Sequence, residues 1–311
     1  MMFSYRHAFH AGNHADVLKH LVLIAVLKHL TLKDTALNVF DTHAGAGLYK
    51  LNGDYAKTSG EANQGVLKFF QNKEPSTHQS TKTTSAKDLE EYSPALQDYL
   101  DILVSFNVKG GNEIYPGSPF IIQKLLEGRD KLKLFEIHPT DSKTLVANIA
   151  QLKAGRQVTV LREDGFEGLK KFLPPPSKRA LILCDPSYEM KSDYPRVCKM
   201  IADALERFAT GTYMIWYPII PRPEAHDIPK KLKTLATRTN RPWLNVSLTV
   251  KSSKLGMDEQ GQVVRPGLPA SGLFVINPPH TLKATLQLSL PELARKLGQD
   301  QHASFNLDSA G

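Results

Sequence analysis

Four acids in this 311-residue chain stand just beyond predicted β-strands. Asp41 opens Asp-Thr-His43-Ala-Gly45-Ala-Gly47, and Glu136 ends the apolar run Leu132–Ile137. Asp164-Gly165 follows Val158–Leu161, and Asp185-Pro186-Ser187-Tyr188 follows Ala180–Cys184. The last tetrapeptide is the sharpest signal. The amine of a heteroaromatic base is a poor nucleophile because its lone pair is delocalised into the ring. The Asp185 carboxylate and the Pro186 carbonyl, each accepting one amine hydrogen, draw that nitrogen toward tetrahedral geometry and free the pair. Hydrogen bonds to a charged acceptor are worth about 1.5–3 kcal/mol, and they lower a barrier when they strengthen in the transition state. Tyr188 supplies an aromatic face for a base turned out of its helix, worth about 1–3 kcal/mol. Taken alone the tetrapeptide is also an ordinary Asp-Pro turn.

Gly45 and Gly47 form a turn that lets a ligand approach the backbone closely, or a plain connection from strand to helix. The dinucleotide fingerprint fails, because Lys50 stands where its third glycine belongs, and no Gly-Lys-Ser/Thr follows to make a phosphate loop. Asp41 at the mouth of the turn suits a cationic ligand better than a pyrophosphate. S-adenosylmethionine, with an amino group and a sulfonium, is such a ligand. Glu136 can accept bidentately from a ribose diol. Asp164 either caps the next helix or accepts from an adenine amino group.

Other candidates carry less. His7, His10 and His14 lack the carboxylate or cysteine pattern of a metal centre, so no metal is expected. Cys184 and Cys198 are too few for a disulfide framework. Neither follows a proline, which argues against base methylation through a cysteine nucleophile. Asn277-Pro-Pro-His280 rivals the Asp185 motif but lacks an aromatic fourth residue and reads as a strand-ending turn. Lys230, Lys231, Lys233, Arg238 and Arg241 suit either an RNA backbone or a solvated helix face.

These residues need a scaffold. Asn13 is placed to cap a helix whose Leu18, Leu21, Val22 and Ala25 share one face. Leu37–Phe40 reads as a strand. Helical pattern at Gly65–Phe70 and Ala95–Phe106 flanks the polar stretch Gln71–Asp88, which reads as a surface loop. Ser118 is expected to cap a helix with Pro119 at its first position and a stop near Gly128. Helices at Asp141–Leu152, Phe166–Phe172 and Val197–Phe208 then alternate with the strands already named and with Thr212–Tyr217. Leu244–Val250, Leu273–Ile276 and the edge segment His302–Leu307 complete the β pattern. Alternation of this kind predicts an α/β fold with a doubly wound, mainly parallel sheet, whose ligands bind beyond the carboxyl ends of the strands. Residues 1–49 and 112–311 form the expected catalytic domain, with 50–111 as a helical insertion.

Composition sets the outer bounds. Hydrophobic residues at 41% and charged residues at 23% are ordinary for a globular chain, and a net charge of +8 favours a polyanionic partner. The longest apolar run, Leu21–Leu27, is too short for a membrane span, and Arg6, His7 and His10 interrupt any N-terminal signal. A soluble cytoplasmic protein is expected.

Asp-Pro-Ser-Tyr resembles the Asp-Pro-Pro-Tyr motif of adenine-N6 methyltransferases. The segment Ser4–His20, Asp41–Gly47, Tyr115–Pro119, Arg207–Tyr213 and Ser271-Gly272 with Ile276–Pro279 together resemble the RlmJ family. The likeness extends over nearly the whole chain. It implies a Rossmann-like, S-adenosylmethionine-dependent fold and methylation of N6 of one adenine in 23S ribosomal RNA, by direct transfer to a flipped-out base. By it, Lys19, His43, Gly45, Gly47, Ser118, Glu136, Asp164 and Gly165 hold the cofactor. Asp185 is the catalytic acid–base group, with Pro186 and Tyr188 beside it, and Tyr5 and His7 meet the RNA. The implied protein is a monomer with no metal. Ser187 replaces the family's second proline, and Gln71–Asp88 is long for the family. DNA adenine-N6 methylation and non-catalytic RNA binding are the alternatives.

Overall fold

The computed structural model describes residues 7–53, 58–70, 92–108, 111–254, 256–257, 263–264 and 267–311. Its helices are α1 (His14–Leu30), α2 (Pro94–Ser105), α3 (Ser118–Leu125), α4 (Pro139–Ala150), α5 (Gly165–Gly168), α6 (Asp193–Arg207), α7 (Pro223–Arg238) and α8 (Leu282–Leu297). The strands are β1 (Asn38–Asp41), β2 (Leu48–Lys50), β3 (Ile114–Pro116), β4 (Lys131–Phe135), β5 (Val158–Leu161) and β6 (Ala180–Cys184). They continue with β7 (Thr212–Ile219), β8 (Trp243–Thr249), β9 (Gly256–Met257), β10 (Val263–Val264), β11 (Ala270–Ile276) and β12 (Ser304–Ala310).

Eight strands form one sheet in the order β12-β8-β11-β7-β6-β1-β4-β5. From β5 to β7 every neighbour is parallel. β11 runs antiparallel to both β7 and β8, and β12 runs antiparallel to β8. This is the expected doubly wound, mainly parallel sheet. Helices cover both faces, so β6 is buried at every position. Its alternate residues feed two cores: Leu181 and Leu183 join the side of α1 and α8, and Ile182 and Cys184 join that of α6 and α7.

The chain steps outward from β1 to β4 and β5, then crosses back to lay β6 and β7 on the other side of β1. That reversal opens a crevice at the carboxyl ends of β1 and β6, the usual ligand site of such sheets. Asp41, Glu136, Asp164 and Asp185 all lie at this end.

Several expectations change. Asn13 caps α1 as predicted, its Oδ1 accepting from the N–H groups of Ala15 and Asp16 at 3.0 Å each. Yet α1 is buried on all sides, because α2, α3, α8 and the sheet pack around it. Gly117, not Ser118, precedes the first residue of α3, which frees the Ser118 hydroxyl for another partner. The turn expected at Tyr115–Pro119 begins as strand β3, paired with β2. Gly65–Phe70 forms 3-10 turns rather than an α-helix. Val66, Phe69, Leu96 and Tyr99, all from the expected insertion, share the core of α1. The stretch Gln71–Asp88 lies outside the described residues. α8 was not anticipated. Among the described residues no helix is long and apolar enough to cross a membrane.

Candidate active site

A cavity of about 760 Å³ occupies the switch-point crevice, within the usual size of a small-molecule site. On the side of β1, β4 and β5 its lining includes Glu136, Asp141 and Asp164, while Asp41 is buried outside the lining. Asp41 is fully buried; its Oδ2 accepts from the Ser118 hydroxyl at 2.7 Å, and burial pushes its pKa up to about 6. Glu136 Oε2 accepts from Gly45 N–H at 2.8 Å and Oε1 from His138 N–H at 2.7 Å. Burial still outweighs these donors and pushes Glu136 up to about 7. Gly45 and Gly47 take positive φ of 62° and 81°, as the expected turn requires. His43 is held neutral, pushed down to about 4 by burial, with Nδ1 2.8 Å from the Thr42 hydroxyl and its ring edge-on to Phe166.

Asp164 fulfils one of its two readings directly, since its Oδ1 caps α5 by accepting from Phe166 N–H at 2.9 Å. Its Oδ2 accepts from Arg196 Nη2 at 2.5 Å, and the Arg196 guanidinium lies 4.3 Å from the Phe166 ring centroid. Gly165 packs so close to β1 that a Cβ there would stand 2.0 Å from the Thr42 carbonyl oxygen.

The opposite wall holds Asp185. Lys19, implied by the family resemblance as a cofactor contact, lines the cavity and bridges two carboxylates. Its Nζ donates to Asp16 Oδ1 at 2.8 Å and to Asp185 Oδ2 at 2.5 Å. Asp16 Oδ2 accepts in turn from Gly12 N–H at 2.9 Å and lies 3.0 Å from His7 Nε2. Burial alone would raise Asp16, but His7 and Lys19 beside it hold its carboxyl well below the ordinary value. Burial works likewise against the Lys19 charge, and Asp16 and Asp185 overcome it, so the ammonium is held above its ordinary value. Among the described residues no hydrogen bond reaches Asp185 Oδ1.

Tyr188, the expected stacking face, is held firmly by its surroundings. It lines the cavity but is only 3% exposed, with φ of 52°. Its hydroxyl donates to the Trp216 carbonyl at 2.8 Å and its ring lies 4.6 Å from that of Tyr194. Arg222 Nη1 donates to its carbonyl at 3.1 Å. The tyrosine therefore fixes the loop that carries Asp185 and Pro186. Pro186 is buried and Ser187 exposed, so the departure from proline falls on the outward residue of the loop.

His7 lines the cavity, tied to Asp16, and Tyr5 lies outside the described residues. The rival Asn277-Pro-Pro-His280 sits at the far end of the sheet, because Ile276 pairs with Tyr213 at the start of β7. Asn277 Nδ2 donates there to the carbonyls of Ala209 and Gly211, bracing a turn. The run Lys230–Arg241 lies largely on α7, where Lys233 reaches Asp308 and covers the Trp243 ring. Cys184 is fully buried and its thiol pushed up by burial, unsuited to nucleophilic work. Asp16, Arg196, Arg222 and Trp216 were missed as site residues: Asp16 stands within the Ser4–His20 segment without a role of its own, and Arg196, Trp216 and Arg222 lie outside every motif quoted for the site.

The family model described as ribosomal RNA large subunit methyltransferase D, RlmJ matches residues 34–308. The chain is 38% identical over 296 residues to ribosomal RNA large subunit methyltransferase J of Escherichia coli strain K12, covering 95% of this chain and 94% of that one. It is 37% identical to the Haemophilus influenzae protein of the same name, covering 99% and 98%. Among solved structures, a Legionella pneumophila protein superimposes with a TM-score of 0.77 at 29% identity, covering 96% of this chain and 98% of that chain. Sequence, fold and a carboxylate-lined crevice ending in Asp-Pro-Ser-Tyr agree: the chain belongs to the RlmJ family of ribosomal RNA large subunit methyltransferases.

Proposed function

We propose that this chain transfers a methyl group from S-adenosylmethionine to N6 of a specific adenine in 23S ribosomal RNA. One observation carries the reading: Asp185 stands at the switch-point crevice with one oxygen fixed by Lys19 and the other open to the cavity. The cofactor half supports it. Glu136, which lines the cavity, is pushed up to about 7 by burial, and a ligand bringing a ribose diol relieves it. Asp41, buried and pushed up to about 6, adds negative charge that an ammonium or a sulfonium answers from the cavity. Ser118 orients Asp41, the turn at Gly45 and Gly47 brings backbone to the ligand, and His43, Asp164 and Gly165 border an adenine.

Bound S-adenosylmethionine supplies an electrophilic methyl group; the rest is done by the protein. Asp185 Oδ1 and the Pro186 carbonyl accept the two N6 hydrogens, which localises the lone pair on nitrogen. Lys19 keeps the carboxylate from turning away, so its alignment costs nothing when the base arrives. Asp185 Oδ1 also faces the proton that N6 must shed once it carries the methyl group. Tyr188 and Trp216 hold the loop, His7 lines the cavity, and Tyr5 and His7 are assigned to the RNA on the family resemblance. The enzyme is taken to act as a cytoplasmic monomer.

The test is mass spectrometry of nucleosides from 23S ribosomal RNA of cells with and without the gene. One N6-methyladenosine per molecule is expected to vanish with the gene. An unchanged nucleoside profile, or loss of a methyl group at another atom, contradicts the reading.

A further inference from the structure

Just before the helix that brings Asp16 and Lys19 to Asp185, residues 7–13 cross the rim of the cavity. Residues 7–13 form a 3-10 turn and loops before α1, yet His7, His10 and Asn13 line the cavity. A second segment, Ser59–Val66, lies across them. Val66 N–H donates to the Gly12 carbonyl at 2.8 Å, and the Ser59 hydroxyl donates to the Phe9 carbonyl. The packing admits no side chain, since a Cβ on Gly65 would stand 2.1 Å from the Gly12 oxygen and 2.7 Å from Asn13 Cα.

Glu61 makes the charged part of this contact. Its Oε1 lies 2.9 Å from His10 Nδ1, and its Oε2 accepts from Asn13 Nδ2 at 2.9 Å. The hydrogen bond to Glu61 holds His10 above its ordinary value. Burial acts to raise Glu61, but His10 holds it below its ordinary value, so the two sustain each other's charge. Asn13 turns its Oδ1 the other way to cap α1, whose first turn presents Asp16 and Lys19 to Asp185. An unbroken hydrogen-bonded path thus leads from Glu61 to the reacting edge.

We propose that Glu61 is a positioning residue for the RNA: it fastens the 59–66 strap to residues 7–13 and so holds the entry side of the cavity in the shape that receives the flipped adenine. The inference rests on the proposed function, because it takes that cavity to hold a methyl donor on one side and a base on the other. Glu61 borders the cavity with both carboxylate oxygens taken up by His10 and Asn13. Its removal therefore changes how well RNA is seated and leaves the carboxylates at β1, β4 and β5 undisturbed.

The experiment compares Glu61→Gln, Glu61→Ala, His10→Ala and the double variant Glu61→Ala/His10→Ala with the unaltered enzyme. It uses calorimetry with S-adenosylmethionine, and steady-state and single-turnover methylation of a 23S ribosomal RNA transcript. Loss of a charged hydrogen-bonded partner is expected to raise KM for the RNA by about tenfold or more in Glu61→Ala and by less in Glu61→Gln. Cofactor Kd and the single-turnover rate at saturating RNA should stay within about threefold, and the double variant should fall short of the product of the single effects. Folded variants with unchanged KM overturn the proposal. So does a cofactor Kd rising in step with KM, which would mean that the strap supports the whole cavity. An unaltered enzyme that binds S-adenosylmethionine but methylates no RNA refutes the proposed function itself, and is distinguished by failing before any variant is compared.

Discussion

Glu136 shows how a single residue couples burial to ligand binding. Its ordinary pKa of 4.5 rises to about 7, so near neutral pH about half the unliganded molecules carry it protonated. A ribose diol donates to the ionised form. Affinity for S-adenosylmethionine should therefore rise about tenfold between pH 6 and pH 8, and Glu136→Gln should flatten that dependence. Calorimetry at both pH values checks it; an equal slope in the variant would assign the titration to another group, Asp41 first. The effect on stability has the opposite sign. A carboxyl raised on folding contributes stability that is fully present below about 4.5 and lost as pH rises through about 7.

The residues legible in the sequence were those at strand ends. Asp41, Glu136, Asp164 and Asp185 each follow an apolar run, and position in a parallel sheet does the rest. Lys19 was legible as a site residue but not as the partner of Asp185, because the two are 166 positions apart and only packing joins them. Tyr188 was legible as an aromatic beside Asp185, but not as the residue whose hydroxyl ties the loop to the Trp216 carbonyl, because that partner is 28 positions away.

At the scale of elements, the close approach of α5 to β1 sets the cofactor wall. Gly165→Ala puts a Cβ 2.0 Å from the Thr42 oxygen, and neither backbone can yield without moving Asp41 or Asp164. The expected cost is about 1–3 kcal/mol of stability, with weaker S-adenosylmethionine binding. Gly128→Ala, where nothing lies within 4 Å, should change the melting temperature little. Equal shifts in the two variants would show that the packing at Gly165 is not strained by a methyl group. Most strands were readable because short apolar runs between turns are distinctive. α8 was not, although Leu282, Leu286, Leu290, Leu293 and Leu297 follow helical spacing. Pro291 within it and Pro278-Pro279 before it mask the pattern. For α1 the sequence showed one apolar face, Leu18, Leu21, Val22 and Ala25, but not that its polar residues Asp16, Lys19 and His20 are buried as well.

At the scale of the whole molecule, one reversal of strand order gathers groups from across the chain into one crevice. Glu136 and Asp164 line one wall, a lysine-fixed carboxylate stands on the other, and a segment held by Glu61 borders the entry. A net charge of +8 draws a polyanion toward it. The most direct test of this account is a reconstituted reaction with purified enzyme, methyl-labelled S-adenosylmethionine and an unmodified 23S ribosomal RNA transcript, digested to nucleosides and analysed by mass spectrometry. The account predicts labelled N6-methyladenosine at no more than one per transcript. With Asp185→Asn it predicts a turnover lower by orders of magnitude while the calorimetric affinity for cofactor barely changes. Label in any other nucleoside, or an Asp185→Asn enzyme as active as the unaltered one, would contradict it.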